Sequence, residues 1–318
     1  MQKSLVQIFH DEAKAMHDAF PEKLENLVVL LLSSSDAKIY AAPEIMGLLR
    51  NNIAEVKMAV RERTDYLCAY KATAVSSPDY PLAGTTVKMI ALNENPPSIY
   101  LPRYTKEMEI TANLRHELGH YVIKKGRPFD IDSRKHLAES AANAYAALLH
   151  VKQFGKETDF FEWYGNRAST MVLGGDWVHY TNDVFERVKQ FTEETDISGL
   201  SLRETAKLAE KIAIECRLNK KTLEKISTAF LPAKDAYEKS KELNDAVLRK
   251  CIEVMREHKD DSDIFKAGKR FFSQPDIKEH LEHSAETDTY WKDALDFIKN
   301  HRTKPVVKRS TPALQTPS

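Results

Sequence analysis

Two histidines four residues apart, with a glutamate directly after the first, stand in Asn113-Leu114-Arg115-His116-Glu117-Leu118-Gly119-His120-Tyr121-Val122. On a helix, residues at that spacing share one face, so His116 and His120 can aim imidazole nitrogens at a single ion. Neutral imidazole suits zinc, and two such ligands leave room for a third protein group and a water. Glu117, too close to His116 for comfortable ligation, is well placed to take a proton from that water. The chemistry such a set performs is attack of a metal-activated water on a polarised carbonyl. The competing reading is an amphipathic helix whose histidines merely lie on its polar face.

The flanking residues favour the metal reading by making this stretch one well-delimited helix. Residues Lys106 to Lys125 carry an apolar stripe of Ile110, Leu114, Leu118, Tyr121 and Val122. Thr105 can cap the start, Lys124 and Lys125 suit the negative end, and Gly126 with Pro128 stops the helix.

A third ligand is expected downstream, and a carboxylate is a common choice. Ser133 to Leu149 is alanine-rich and strongly helical by composition, with Asp132 or Ser133 as its cap. Small residues beside Glu139 allow this helix to approach the first closely. Asn143, one turn later on the same face, can hold a ligand imidazole through its amide. His136, Asp130 and Asp132 are alternative ligands; Glu139 is preferred for its small neighbours, with His136 at the rim or supporting a ligand from behind. His150 lies on the order of 16 Å from Glu139 along such a helix and reads as surface.

Between Asn113 and about Leu149 the chain resembles the zincin metallopeptidases, and within them the gluzincin-type arrangement. There a glutamate from a second helix, about twenty residues after the motif, is the third ligand; Glu139 follows His120 by nineteen positions. A residue one turn later, usually aspartate, orients a zinc histidine, and here that place holds Asn143. The resemblance implies a small twisted sheet before the motif helix, whose edge strand pairs with an extended substrate. It also implies a tyrosine or histidine beyond the glutamate helix that stabilises the developing oxyanion, for which His179 and Tyr180 are the candidates. The same His-Glu-Leu-Gly-His wording occurs in regulatory metallopeptidases, so it does not imply a digestive role.

The remaining elements must position these groups. Met1 to Phe20 reads as an amphipathic helix without the features of a secretory signal, and Leu27 to Leu32 as a buried strand or helix segment too short to span a bilayer. Ala42 to Tyr70 has helical spacing, with Pro43 in the first turn. Thr85 to Leu92 and Ser98 to Leu101 read as strands joined by Asn93-Glu94-Asn95-Pro96-Pro97, with prolines marking Ser98 to Leu101 as an edge. Aromatics cluster between Phe154 and Trp177, as core or as a pocket wall. Val184 to Phe191 reads as helix, followed by helices over Leu202 to Arg217, Lys221 to Phe230, Ala233 to His258, Ser262 to Phe272 and Asp276 to Asn300. His280 and His283 have helical ligand spacing but no third partner. Arg302 to Ser318 is basic, rich in Pro, Ser and Thr, and expected to be disordered.

Lys plus Arg balance Asp plus Glu at 47 each, so charge favours neither nucleic acid nor a membrane surface as partner. The three cysteines, Cys68, Cys216 and Cys251, are far apart and fit a reducing compartment. The expectation is an α+β, mostly helical protein: a zincin-like core with a small mixed sheet and N-terminal helices over 1–197, a helical C-terminal half over 198–301, and a tail over 302–318. The expected function is a soluble zinc metallopeptidase, with His116, His120 and Glu139 holding Zn2+ and Glu117 as general base. Its partner is a protein or peptide substrate, selected by the helical half. It resides in the cytoplasm or is delivered into a host cell to cut one protein there. The alternative is a regulatory or scaffold protein that keeps a zincin-like core and acts by partner binding.

Overall fold

The computed structural model describes residues 4–33, 36–95, 101–123 and 131–301, with 131 and 132 described by backbone alone. Helix α1 (Leu5–Ala19) is capped by Ser4, whose hydroxyl oxygen accepts from the Gln7 amide, and it buries Ile8, Phe9, Ala13 and Met16. The short α2 (Pro21–Leu24) turns the chain into β1 (Leu27–Leu32), every residue of which is buried. β1 pairs antiparallel with β2 (Ala37–Ala41) and parallel with β4 (Thr85–Asn93). A strand covered on both faces has no polar side to present, hence its unbroken apolar run. Sequence patterning anticipated β4 and the burial of β1, left β1 open between strand and helix, and missed β2, whose mixed Ala37-Lys38-Ile39-Tyr40-Ala41 is too short to alternate clearly.

The segment Ala42 to Tyr70 forms two helices, α3 (Pro43–Asn51) and α4 (Ile53–Tyr70), broken at Asn52. They cross to β3 (Ala74–Leu82), antiparallel to β4, in a sheet ordered β2-β1-β4-β3. Among the described residues the edge beside the motif helix is β3; the expected strand Ser98 to Leu101 lies outside them except for Leu101, which makes an isolated bridge to Tyr104. Pro78 and Pro81 hid β3 from a strand reading; an edge tolerates them, and the register slips between Ser77 and Tyr80. Ala83 and Gly84, with φ of 53° and 73°, make the tight β3–β4 turn.

α5 (Lys106–Val122) packs on β3 and β4, and α6 (Ile131–Phe154) packs on α5. Asp132 and Ser133 fall inside the first turn of α6 and do not precede it. α7 (Phe160–Ser169), α8 (Met171–Gly174), a 3-10 turn (Trp177–His179), α9 (Asn182–Glu194) and α10 (Leu202–Cys216) follow. The last five helices are α11 (Lys220–Ser240), α12 (Asp245–Glu257), α13 (Ser262–Phe272), α14 (Pro275–Ser284) and α15 (Thr289–Asn300). α11 runs through Pro232, where a break was expected, because Phe230 and Ala233 on either side are fully buried and hold it in place. Breaks come instead at Lys241, in the left-handed region, and before Asp288, which caps α15. The expected tail, 302–318, lies outside the described residues.

The fold is thus mostly helical with a small mixed sheet. One apolar cluster joins the sheet with α1, α5, α6, α9 and α10; a second joins α8 and the 3-10 turn with α11 to α15. Apolar packing changes hands between α10 and α11, whereas the expected subdivision at 197/198 falls before α10. The segment 177–180 belongs to the second cluster yet also packs on α6, so it lies at the seam. Among the described residues, no helix is long and apolar enough to cross a membrane.

Candidate metal centre

Thr105 starts α5, its hydroxyl oxygen accepting from the Met108 amide, and the helix delivers His116, Glu117 and His120 to the side facing α6 and β3. α6 can come close because Gly119 has no side chain: a Cβ there would meet the Ala142 Cα at 3.0 Å and its Cβ at 3.3 Å. That approach brings Glu139 between the two histidines. Its Oε2 lies 3.3 Å from His116 Nε2 and its Oε1 3.5 Å from His120 Nε2, while the two Nε2 atoms are 3.2 Å apart.

Ligand atoms about 2.0–2.1 Å from a tetrahedral zinc are spaced by about 3.3–3.4 Å, the tetrahedron's edge. Each pairwise separation is close to that spacing, with one carboxylate oxygen facing each histidine, and the His–Glu139 separations are wider than a good hydrogen bond. Glu139 Oε2 is buried without a hydrogen-bond donor of its own. The donor set therefore fits a metal ion, and it is the only such group among the described residues.

Asn143 occupies the place expected of it. Its Oδ1 accepts from His116 Nδ1 at 2.8 Å, which leaves Nε2 unprotonated and free to ligate. Its amide nitrogen in turn donates to Thr181 Oγ1 at 2.8 Å, so the ligand is braced from the seam segment. Thr181 was not anticipated, because nothing local marks a threonine 38 positions after Asn143 as part of a candidate metal site.

Glu117 lines a cleft of about 270 Å³ together with His116, Asn143, Arg167 and His179, under Thr73 and Ala74 at the start of β3. Burial raises its carboxyl above the usual glutamate range, partly countered by His116 and by a hydrogen bond with Ser76 on β3. Burial also pushes the Glu139 carboxyl up, but His116, His120 and His179 around it overcome this and hold it at about 2.

The two candidate oxyanion partners separate. His179 lies at the rim, Nε2 3.4 Å from Glu139 Oε2, and its Nδ1 donates to Asp176 Oδ2 at 2.8 Å. The bond to Asp176 raises the imidazole's pKa against the opposing effect of burial. Tyr180 is turned away: its buried hydroxyl accepts from Arg270 Nη1 at 3.0 Å, and it does not line the cleft. Adjacent residues in a tight turn cannot both face the metal, and the apolar seam takes Tyr180.

The other histidines are structural. His136 is not at the rim but buried, with Nε2 donating to the Tyr180 carbonyl at 3.1 Å. His150 is buried rather than at the surface, bonded to Thr158 Oγ1 and stacked on Phe160 with ring centroids 4.2 Å apart. His280 pairs with Asp245 on the exterior. No protein family, curated protein or solved structure matches this chain.

Proposed function

We propose that this chain is a zinc-dependent peptidase with a gluzincin-like centre, in which His116, His120 and Glu139 hold the ion. The observation that carries the reading is two imidazole nitrogens 3.2 Å apart, each 3.3–3.5 Å from an oxygen of the Glu139 carboxylate, beside buried Glu117 in an open cleft. When bound, zinc supplies Lewis acidity for the attacking water and the peptide carbonyl. Glu117, lining the cleft one residue from His116, accepts the water's proton and returns it to the leaving amine. His179, held at the rim of the cleft by its bond to Asp176, donates to the carbonyl oxygen as negative charge develops there. Among the described residues β3 is a sheet edge, and Thr73 and Ala74 at its start line the cleft, which supports a zincin-like core in which an extended chain pairs with that edge.

Metal analysis of the purified protein should find one zinc per chain, largely lost in Glu139→Ala, and a peptide library should be cut by the zinc-loaded form. A chain that holds zinc, cuts no peptide and captures a partner through its helical half would fit the binding-protein reading instead.

A further inference from the structure

Arg167 is exposed on α7 and lines the metal cleft. Among the described residues, no carboxylate comes within 4.0 Å of its guanidinium. Glu109 and Glu117, both buried on α5, feel its charge without pairing with it. A guanidinium held in a cleft with its fork unengaged is suited to bidentate binding of a carboxylate.

A second cavity of about 670 Å³ adjoins the first, and Thr73, Arg167 and Met171 line both. Its walls are largely apolar, from Trp163 and Leu173 on one side and Tyr237, Leu243 and Phe271 on the other. The helical half thereby contributes a wall to the route that leads away from the metal. Because the space continues well past Arg167, a chain ending there would leave the groove empty. An internal side chain is the better match than a terminal carboxylate.

We propose that Arg167 determines specificity: it binds an acidic side chain of an extended polypeptide substrate where the metal cleft meets the groove, and the groove takes an apolar side chain next to it. This rests on the peptidase reading for its consequence, though not for the binding itself.

The test uses the zinc-loaded full chain and peptides that differ only by Glu, Gln or Lys at each position near the cut, with free or amidated C-termini. Cleavage should favour Glu over Gln at one internal position by about ten- to a hundredfold in kcat/KM, the size of a charged hydrogen-bonded contact. Amidation should not change that ratio. Arg167→Ala should bring the ratio near one without loss of zinc, and Arg167→Glu should turn the preference to Lys. Arg167→Ala retaining the Glu preference overturns the proposal, as does wild-type cleavage blind to charge; either leaves the peptidase reading standing. A preference that vanishes on amidation also overturns it, in favour of a terminal carboxylate. Binding of the same peptides to zinc-loaded Glu117→Gln, read by fluorescence anisotropy, separates the two readings. Glu-selective, Arg167-dependent binding with no cutting by the wild type supports the Arg167 site and removes the peptidase.

Discussion

At the scale of single residues, the proposed chemistry divides between groups that hold and a group that reacts. Glu117→Gln is nearly isosteric and leaves the three ligands intact, so fold and zinc content should be unchanged. Turnover should fall by about a hundred- to ten-thousandfold, as on loss of a general base. Single-turnover cleavage of a library-derived peptide measures it, and near-normal turnover would show that another group takes the proton. The ligands themselves titrate against the metal. Burial pulls the His116 pKa down, but the Glu139 carboxylate beside it more than restores it, to above the ordinary 6.5. Zinc needs the neutral imidazole, so its affinity is full above that pKa and is lost as pH falls through it. Competition with a chelator across the pH range should show the loss beginning above pH 6.5. An onset only in the carboxylate range would mean that His116 does not ligate.

At the scale of elements, the centre exists because α5 and α6 approach closely at one small residue. Gly119→Ala sets a Cβ against the Ala142 backbone, which has little room to yield. The expected cost is about 1–3 kcal/mol of stability by overpacking, together with weaker zinc binding as Glu139 moves away. Gly47 is the control: it lies in α3 with nothing within 4 Å of its would-be Cβ. Gly47→Ala should therefore stabilise by about 0.5–1 kcal/mol through helix propensity and leave zinc affinity alone. Denaturant melts and zinc titrations of the pair decide this. If both variants bind zinc alike, the close approach at Gly119 does not set the ligand geometry.

At the scale of the whole molecule, the helical C-terminal half is tied to the centre through Arg270 on α13. Its guanidinium reaches Glu186 Oε1 at 2.7 Å, Asp183 Oδ1 at 2.6 Å and the Tyr180 hydroxyl at 3.0 Å, all on the segment that also carries His179 and Thr181. Arg270 is 8 % exposed, so Arg270→Met leaves Asp183 in a half-covered site without its main partner. A loss of roughly 3 kcal/mol is expected in a thermal or urea melt. Burial pushes the Asp183 carboxyl up, but Arg270 and Lys266 outweigh it and hold the group at about 2. A lowered folded-state pKa means the stabilisation is present above the unfolded value of 3.8 and is lost as pH falls from there towards about 2. The acid limb of the stability curve should therefore flatten in Asp183→Asn. An unchanged limb would assign the acid sensitivity to other carboxylates.

What the sequence by itself determined is what repeats locally. The helical period puts His116 and His120 on one face whatever surrounds them, and a six-residue apolar run such as Leu27 to Leu32 has nowhere to lie but inside. The Glu139 and Asn143 spacing was legible for the same reason, since a turn of α6 relates them. Only the tertiary structure decided which distant groups meet. β3 is the edge because β4 has two neighbours and β1 takes the other side of it, a matter of sheet order that Pro78 and Pro81 obscure locally. His150 and His136 are buried because aromatic and backbone partners far along the chain cover and bond them. That His179 lines the cleft and Tyr180 does not follows from Arg270, some ninety positions on, capturing the tyrosine hydroxyl. Periodicity is set by backbone dihedrals and so can be read along the chain. Contacts between elements are set by packing that no single stretch encodes.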